Sequence, residues 1–208
     1  VQSFQLEVTG GSEAVAQNFS TTLYTGTGST QTITNDIDLA GDGGLVWIKD
    51  RTNSNSHALF DTERGALKLL NTNNTNVEFD YGSSFNLTYN SNGFGVGGGS
   101  WVGASGNNYV SWTFKKATKF FDVVTYTGDG TTDGSKAISH SLGTTVGSII
   151  IKGLSNTFDW RVWHRNDGSS PQILFLNQTY NAQNDGTVLN VTDTNFSVAH
   201  NAANQSGV

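Results

Sequence analysis

The densest group of reactive side chains is Lys49, Arg51, His57, Asp61, Glu63 and Arg64. Cations at this spacing, on and after a short apolar run, suit a polar rim that grips a sugar or an acidic surface group. The same spacing suits a salt-bridged hairpin: Lys49 and Arg51 leave one strand, His57 opens the next, and Asp61 and Arg64 sit in the following turn. Opposite charges facing across strands stabilise such a hairpin modestly, and this second reading is the favoured one. Glycoside hydrolysis needs two carboxylates ~5–9.5 Å apart across a cleft. The only glutamates are Glu7, Glu13, Glu63 and Glu78, and Asp61 with Glu63 next to Gly65 reads as a loop. His57, His140, His164 and His200 are scattered, and no serine lies in a Gly-x-Ser-x-Gly elbow. The sequence therefore predicts no enzyme.

Two oxygen-rich stretches have a calcium-like look: Asp36, Asp38 and Asp42, then Asp129 and Asp133. Neither fits an EF-hand loop, and Asp with Gly is also what tight turns require. Turns are the favoured reading, and no metal or other cofactor is expected. Trp101, in Gly97-Gly98-Gly99-Ser100-Trp101, lies in a glycine-rich loop with no obvious core around it. It is a candidate for stacking on a sugar ring or on a neighbouring subunit. The tentative ligand set is thus Trp101, Lys49, Arg51, His57 and Arg64.

These residues sit in a chain of 208 residues with 13% charged residues, net charge −6, 25 Gly, 1 Pro and no Cys. Asn, Ser and Thr supply about a third of it, whereas charged residues fall well below the globular average of about 25%. Without cysteine there is no disulfide framework or thiolate metal site. No apolar run approaches the ~20 residues of a membrane span, and a net acidic chain is a poor partner for nucleic acid. Disordered chains lack the aromatics that alternate here with polar residues. The chain starts at Val1 and contains no Met, so we expect a segment of a longer protein or a processed product.

The sequence also repeats. Phe19 to Gly28 aligns with Phe121 to Gly130, Gly44-Leu45-Val46-Trp47-Ile48-Lys49 with Gly147-Ser148-Ile149-Ile150-Ile151-Lys152, His57–Phe60 with Trp160–Trp163, and Phe94–Val96 with Phe196–Val198. The nearly constant offset of about 100 residues is too long for a solenoid or propeller blade and suits tandem small domains. Asp61 and Arg64 align with His164 and Asp167, so only Lys49, as Lys152, persists from the charged block. Runs of β-branched and aromatic residues, separated by Gly, Asn, Asp and Ser, read as strands throughout. They include Leu45–Lys49, Tyr109–Phe114, Phe121–Tyr126 and Ser148–Lys152; only Ala66–Leu70 leans towards helix. The expected fold is all-β: tandem antiparallel β-sandwiches, jelly-roll or concanavalin-like, in two copies of one module. Residues 1–18 form a strand (Phe4–Val8) and connector that joins the preceding domain or crosses between subunits; 19–120 form copy one and 121–208 copy two. The second copy lacks a counterpart of Tyr109–Phe114, through truncation of the sequence or because another chain supplies the strand. Trp47, Phe60, Trp112, Phe114, Ile150 and Trp163 are expected in the cores.

The block Leu45-Val46-Trp47-Ile48-Lys49, Arg51, His57-Ala58-Leu59-Phe60-Asp61, Arg64-Gly65, with Asn92-Gly93-Phe94 and the run from Tyr109 to Gly128, resembles a structural domain of tailed bacteriophages, especially marine and cyanobacterial ones. The resemblance covers residues 19–200. It implies a concanavalin-like sandwich of the laminin-G or SPRY kind on tail fibres, spikes or related appendages. The implied location is the virion and the extracellular space, and the implied work is attachment to host-surface glycans. The implied partners are copies of the same chain, most commonly in a homotrimer, and other virion proteins. Two alternatives stay open: a capsid or tail decoration protein, and a carbohydrate-binding region of a secreted enzyme or adhesin.

Overall fold

The computed structural model describes residues 15–81, 85–165, 172–184 and 186–206. The strand expected at Phe4–Val8 lies outside them. The first half contains β1 (Phe19–Thr25), β2 (Gln31–Thr34), β3 (Gly44–Asp50), β4 (Ala58–Asp61), β5 (Lys68–Leu69), β6 (Phe79–Asp80), β7 (Thr88–Asn90), β8 (Gly93–Val96) and β9 (Asn108–Lys115). The second contains β10 (Lys136–Ser139), β11 (Ser148–Ile151), β12 (Arg161–His164), β13 (Gln172–Phe175), β14 (Gln183–Asn184), β15 (Val188–Leu189) and β16 (Asn195–Val198), then one helical turn at Asn201–Asn204. The fold is all-β, and every ladder among the described residues is antiparallel.

In the first half, a sheet of order β1-β9-β3-β4 faces a sheet of order β2-β8-β7. Alternation along β3 decides what lies between them: Val46 and Ile48 point inward, while Leu45, Trp47 and Lys49 point outward. Val46, Ile48 and Phe60 from one sheet meet Ile33, Phe94 and Val96 from the other in one buried cluster. In the second half, β10-β16-β15 faces β11-β12-β13-β14, with Ile138, Phe196 and Val198 against Ile149, Ile151, Trp163 and Ile173. The order β10-β16-β15 parallels β2-β8-β7, and several local bonds recur. Tyr24 Oη donates to the Val102 carbonyl at 2.7 Å and Tyr126 Oη to the Ala203 carbonyl at 2.5 Å. Likewise Gly28 N–H reaches the Gly103 carbonyl and Gly130 N–H the Asn204 carbonyl, both at 2.8 Å.

The halves meet through a third apolar cluster, in which Trp160 and Leu154 pack with Leu59, Leu70, Leu45 and Trp47. Trp160 Nε1 donates to the Asn71 carbonyl at 2.9 Å, and Glu78 N–H donates to the Leu154 carbonyl at 2.7 Å. The connector is tied as well: an isolated bridge joins Ala117 and Phe121, and Lys116 pairs with Glu63 and Asp122.

Four expectations need correction. First, Phe60 and Trp163 are buried as expected, but Trp112, Phe114 and Trp47 are half-buried on the outer face. Tyr109, Ser111 and Thr113 face inward instead. Their polar atoms are satisfied there: Asn35 Nδ2 donates to the Thr113 hydroxyl at 2.8 Å, and the Tyr109 hydroxyl donates to the Ser100 carbonyl at 2.8 Å. Second, Ile150 is 52% exposed, because Ile149 and Ile151 take the inward positions of β11. Third, Ala66–Leu70 forms no helix; Leu70 exchanges backbone hydrogen bonds with Leu59, which draws the segment alongside β4. Fourth, Phe121–Tyr126 is no strand, since no described strand lies beside it to complete a ladder.

The inward and outward positions of β11 make a simple comparison. Ile150→Thr is expected to change unfolding stability by less than ~0.5 kcal/mol, as at other exposed positions. Ile151→Ala should cost ~2–5 kcal/mol. Urea denaturation followed by tryptophan fluorescence reads both; equal effects would invert the assigned faces.

Candidate binding face

The outer face of the β1-β9-β3-β4 sheet gathers residues far apart in sequence into rows. Register places Leu23, Val110 and Lys49 in one row, Thr21, Trp112, Trp47 and Leu59 in the next, and Phe19, Phe114, Leu45 and Asp61 in a third. Two indoles thus lie side by side across β3 and β9, with ring centroids 5.8 Å apart in an edge-to-face arrangement. Leu23 is 63% exposed at one margin, while Leu59 and Trp160 close the other.

His57 orients this pair. Its Nδ1 accepts a hydrogen bond from Trp47 Nε1 at 2.9 Å, so that nitrogen carries no proton. Burial, with a smaller contribution from the Lys49 charge, lowers the His57 pKa. Both effects favour a neutral imidazole whose Nε2 carries the proton. At the same end, Lys49 donates its ammonium to the carbonyls of Asp50 and Asn53, bracing the loop that follows β3. Asp50 lies under that loop and accepts from the Thr52 and Asn53 amides and from the side chains of Asn53, Asn55 and Asn107. Burial alone would raise the Asp50 pKa; these donors outweigh it and hold the carboxyl below the usual carboxylate range. Arg51 is exposed beside Asn108, to whose carbonyl its amide donates at 2.7 Å.

The second half repeats the lysine brace. Lys152 donates to the Gly153 carbonyl at 2.6 Å and the Asn156 carbonyl at 2.9 Å. Burial pushes its pKa down to about 8.

Lys49 and His57 are therefore brought together with Trp47 and Trp112, and Arg51 stands at the rim. Arg64 and Trp101 lie elsewhere. The Arg64 side chain is 5% exposed; it bonds the Asp61 carboxylate at 2.6 Å and Glu78 at 3.0 Å, and donates to the Lys68 carbonyl. Trp101 packs its ring against Phe85 and Tyr81, with centroids 5.9 and 5.5 Å away, at the edge of the first core. Its loop is drawn in by the Gly97 amide, which donates to the Phe85 carbonyl, and by Asn55 Nδ2 on the Ser100 carbonyl.

The aspartates considered for calcium serve turns and ion pairs. Asp38 accepts the Gly41 amide at 2.7 Å, Asp42 pairs with Lys115 at 3.2 Å, and Asp133 accepts the Ser135 amide at 2.9 Å. Asp36 occupies the left-handed region at φ 62°. Asp129 accepts from the Thr131 amide and hydroxyl and from Asn204 Nδ2, and the Thr131 contacts lead in lowering its pKa to about 2. Among the described residues, no group of three or more His, Cys, Asp or Glu is placed to hold a metal ion.

Sequence reasoning missed Trp112, Val110 and Leu23 as members of an outer face. Alternation along β9 separates its two faces. The unusual assignment of Ser and Thr to the inside is visible only once Asn35 and Thr22 are in place against them.

A family model described as a domain of unknown function, DUF7483, matches residues 14–207. Comparison with curated proteins and with solved structures gives no match.

Proposed function

The chain belongs to the DUF7483 family, and from that premise and the geometry above we propose that it is a non-catalytic attachment domain of a tailed-bacteriophage appendage. Its outer β1-β9-β3-β4 face is the surface that meets a host glycan. The observation that carries this reading is the Trp47–Trp112 pair, held on a rigid sheet and half-exposed, with exposed Leu23 beside it. Pyranose rings present apolar C–H faces that stack on indoles. The hydroxyls around them call for polar partners, which Thr21 and His57 supply beside the indoles. The phage setting comes from the resemblance of Leu45–Lys49, His57–Asp61 and Tyr109–Gly128 to structural domains of such particles. The same reading expects a homo-oligomer, a trimer by that resemblance, in contact with other virion proteins.

The test uses a panel of bacterial lipopolysaccharides and capsular polysaccharides, together with adsorption to bacterial cells. Trp112→Ser should weaken binding at least ~10-fold, corresponding to ~1.4 kcal/mol. Leu23→Asp, at an exposed site, should weaken it with an unchanged melting temperature. Wild-type binding that survives both substitutions, or no binding to any member of the panel, removes the glycan reading.

A further inference from the structure

The hydrogen bond from Trp47 Nε1 to His57 Nδ1, 2.9 Å long, needs an unshared electron pair on Nδ1. A proton taken from water at Nδ1 turns the imidazole into an imidazolium, which has two N–H donors and no acceptor. Two donors then face each other across the same gap. The backbone is held in place on both sides of this contact. Trp47 is laddered opposite Trp112 on β9 and opposite Leu59 on β4. His57 donates its amide to Asn73 Oδ1 at 3.0 Å, and its carbonyl accepts from Asn71 Nδ2 at 2.7 Å. The response therefore falls on the two rings, and the Trp47 indole is also one half of the edge-to-face pair with Trp112.

The charges around the imidazole do not favour the proton. On β3 and its loop, the Lys49 charge opposes it, and exposed Arg51 adds a second cation at the rim. The Asp50 carboxylate is engaged under the loop by Asn53, Asn55 and Asn107. Asp61 lies at the far end of β4 and pairs with Arg64. Residues 71–74, which bond the His57 backbone, are Asn-Thr-Asn-Asn and contain no titratable group. On β9, this face presents Val110 and Trp112. Across the contact with the second half, Lys152 is engaged by carbonyls of its own loop, and Asp159 accepts from Asn177 and Gln178. Among the described residues, no carboxylate pairs with His57. Burial first, and Lys49 second, hold its pKa below the ordinary ~6.5. The bond is thus intact at neutral pH and is lost as pH falls through that lowered value.

We propose that the Trp47–His57 bond is a proton-operated latch on the outer face. Closed, it fixes Trp47 against Trp112; protonation of His57 Nδ1 opens it and breaks up the indole pair. The aligned positions in the second half are Ile150 and Trp160, so that half carries no copy of the device. Release of a bound glycan on acidification follows if the face binds glycan, and so rests on the attachment reading above; the latch itself does not. By linkage, a bound glycan in turn suppresses proton uptake.

The experiment follows the Trp47 indole N–H and the His57 ring nitrogens by NMR in the 208-residue chain, from about pH 8 to about pH 5. Trp47→Phe assigns the indole signal. The Trp47 signal should shift with the same midpoint as His57 Nδ1, below ~6.5. Its protection from exchange, relative to free tryptophan at the same pH, should fall at least ~10-fold. In His57→Asn, whose side-chain oxygen replaces the acceptor and does not titrate, the Trp47 signal should stay constant. A Trp47 transition that survives in His57→Asn overturns the latch. So does a Trp47 signal that stands still while His57 titrates, an outcome read in the native protein whether or not the variant folds. Binding to the same panel of lipopolysaccharides and capsular polysaccharides is compared at the two ends of the pH range. A loss of at least ~10-fold at the acid end, absent in His57→Asn, supports release; equal affinity at both ends overturns it. A working latch with no binding to the panel at any pH supports the latch and removes the attachment reading.

Discussion

Replacing Arg64 by methionine is expected to destabilise the protein by about 3–5 kcal/mol, the usual consequence of removing one partner of a buried ion pair. Asp61 and Arg64 have side chains 3% and 5% exposed, and the guanidinium also reaches Glu78 and the carbonyls of Lys68 and Leu59. Methionine fills much of the volume but leaves the Asp61 carboxylate buried, with the Arg64 amide still donating to it and the guanidinium gone. The test is a shift of the urea midpoint at unchanged slope. Asp61→Asn combined with Arg64→Met should recover part of the loss, because the uncompensated charge is then absent. A loss below ~1 kcal/mol for Arg64→Met would show that water reaches Asp61 and that the pair is a surface ornament.

Trp160→Ala should act at a different place and in a different way. The Trp160 ring is 5% exposed between Leu59 and Leu70, and its Nε1 closes on the Asn71 carbonyl. Truncation should cost ~3–5 kcal/mol, as for other large buried aromatics. Because the ring joins the two halves, the loss should appear as lost coupling. Scanning calorimetry should show the unfolding transition splitting, with the second half melting first. One sharp transition shifted as a unit would mean that the connector and Leu154 suffice to join the halves.

Much of the architecture was legible in the sequence because strands carry their signature locally. Leu45–Lys49, Tyr109–Phe114 and Ser148–Ile151 alternate or run β-branched, and all three became strands. Which side of a strand faces the core is a tertiary property. On β9 the larger aromatics suggested the inside, yet Ser111 and Thr113 took it, because Thr22 and Asn35 offer them hydrogen bonds. Ile150 could not be told from Ile149 and Ile151 by composition; its exposure follows from the pleat alone. The charged block around Lys49 reads as a hairpin held by charge across its strands. Arg64 and Asp61 instead form a local pair three residues apart, and among the described residues no ion pair spans β3 and β4. Lys49 took a role that no spacing announces, as a donor to the carbonyls of its own loop. Trp101 looked stranded among glycines, but those glycines let its loop fold back onto Phe85.

The pairing of β1 with β9 governs how this protein responds to tension. Phe19 lies opposite Phe114, so the backbone enters and leaves the first half at the same end of two neighbouring strands. The rings of Phe19, Phe114 and Phe121 touch in sequence at that end, with centroids 4.8 and 5.3 Å apart. A pull applied through the chain at Phe19 and Lys115 loads the hydrogen bonds nearest these rings first and opens them one after another, like a zipper. Resistance to shear, in which all rungs share the load, is not available along this path. The phenylalanine clasp is thus the first mechanical barrier. Any sustained force must be diverted around it, through contacts such as Trp160 on Asn71 that bypass the strand ends.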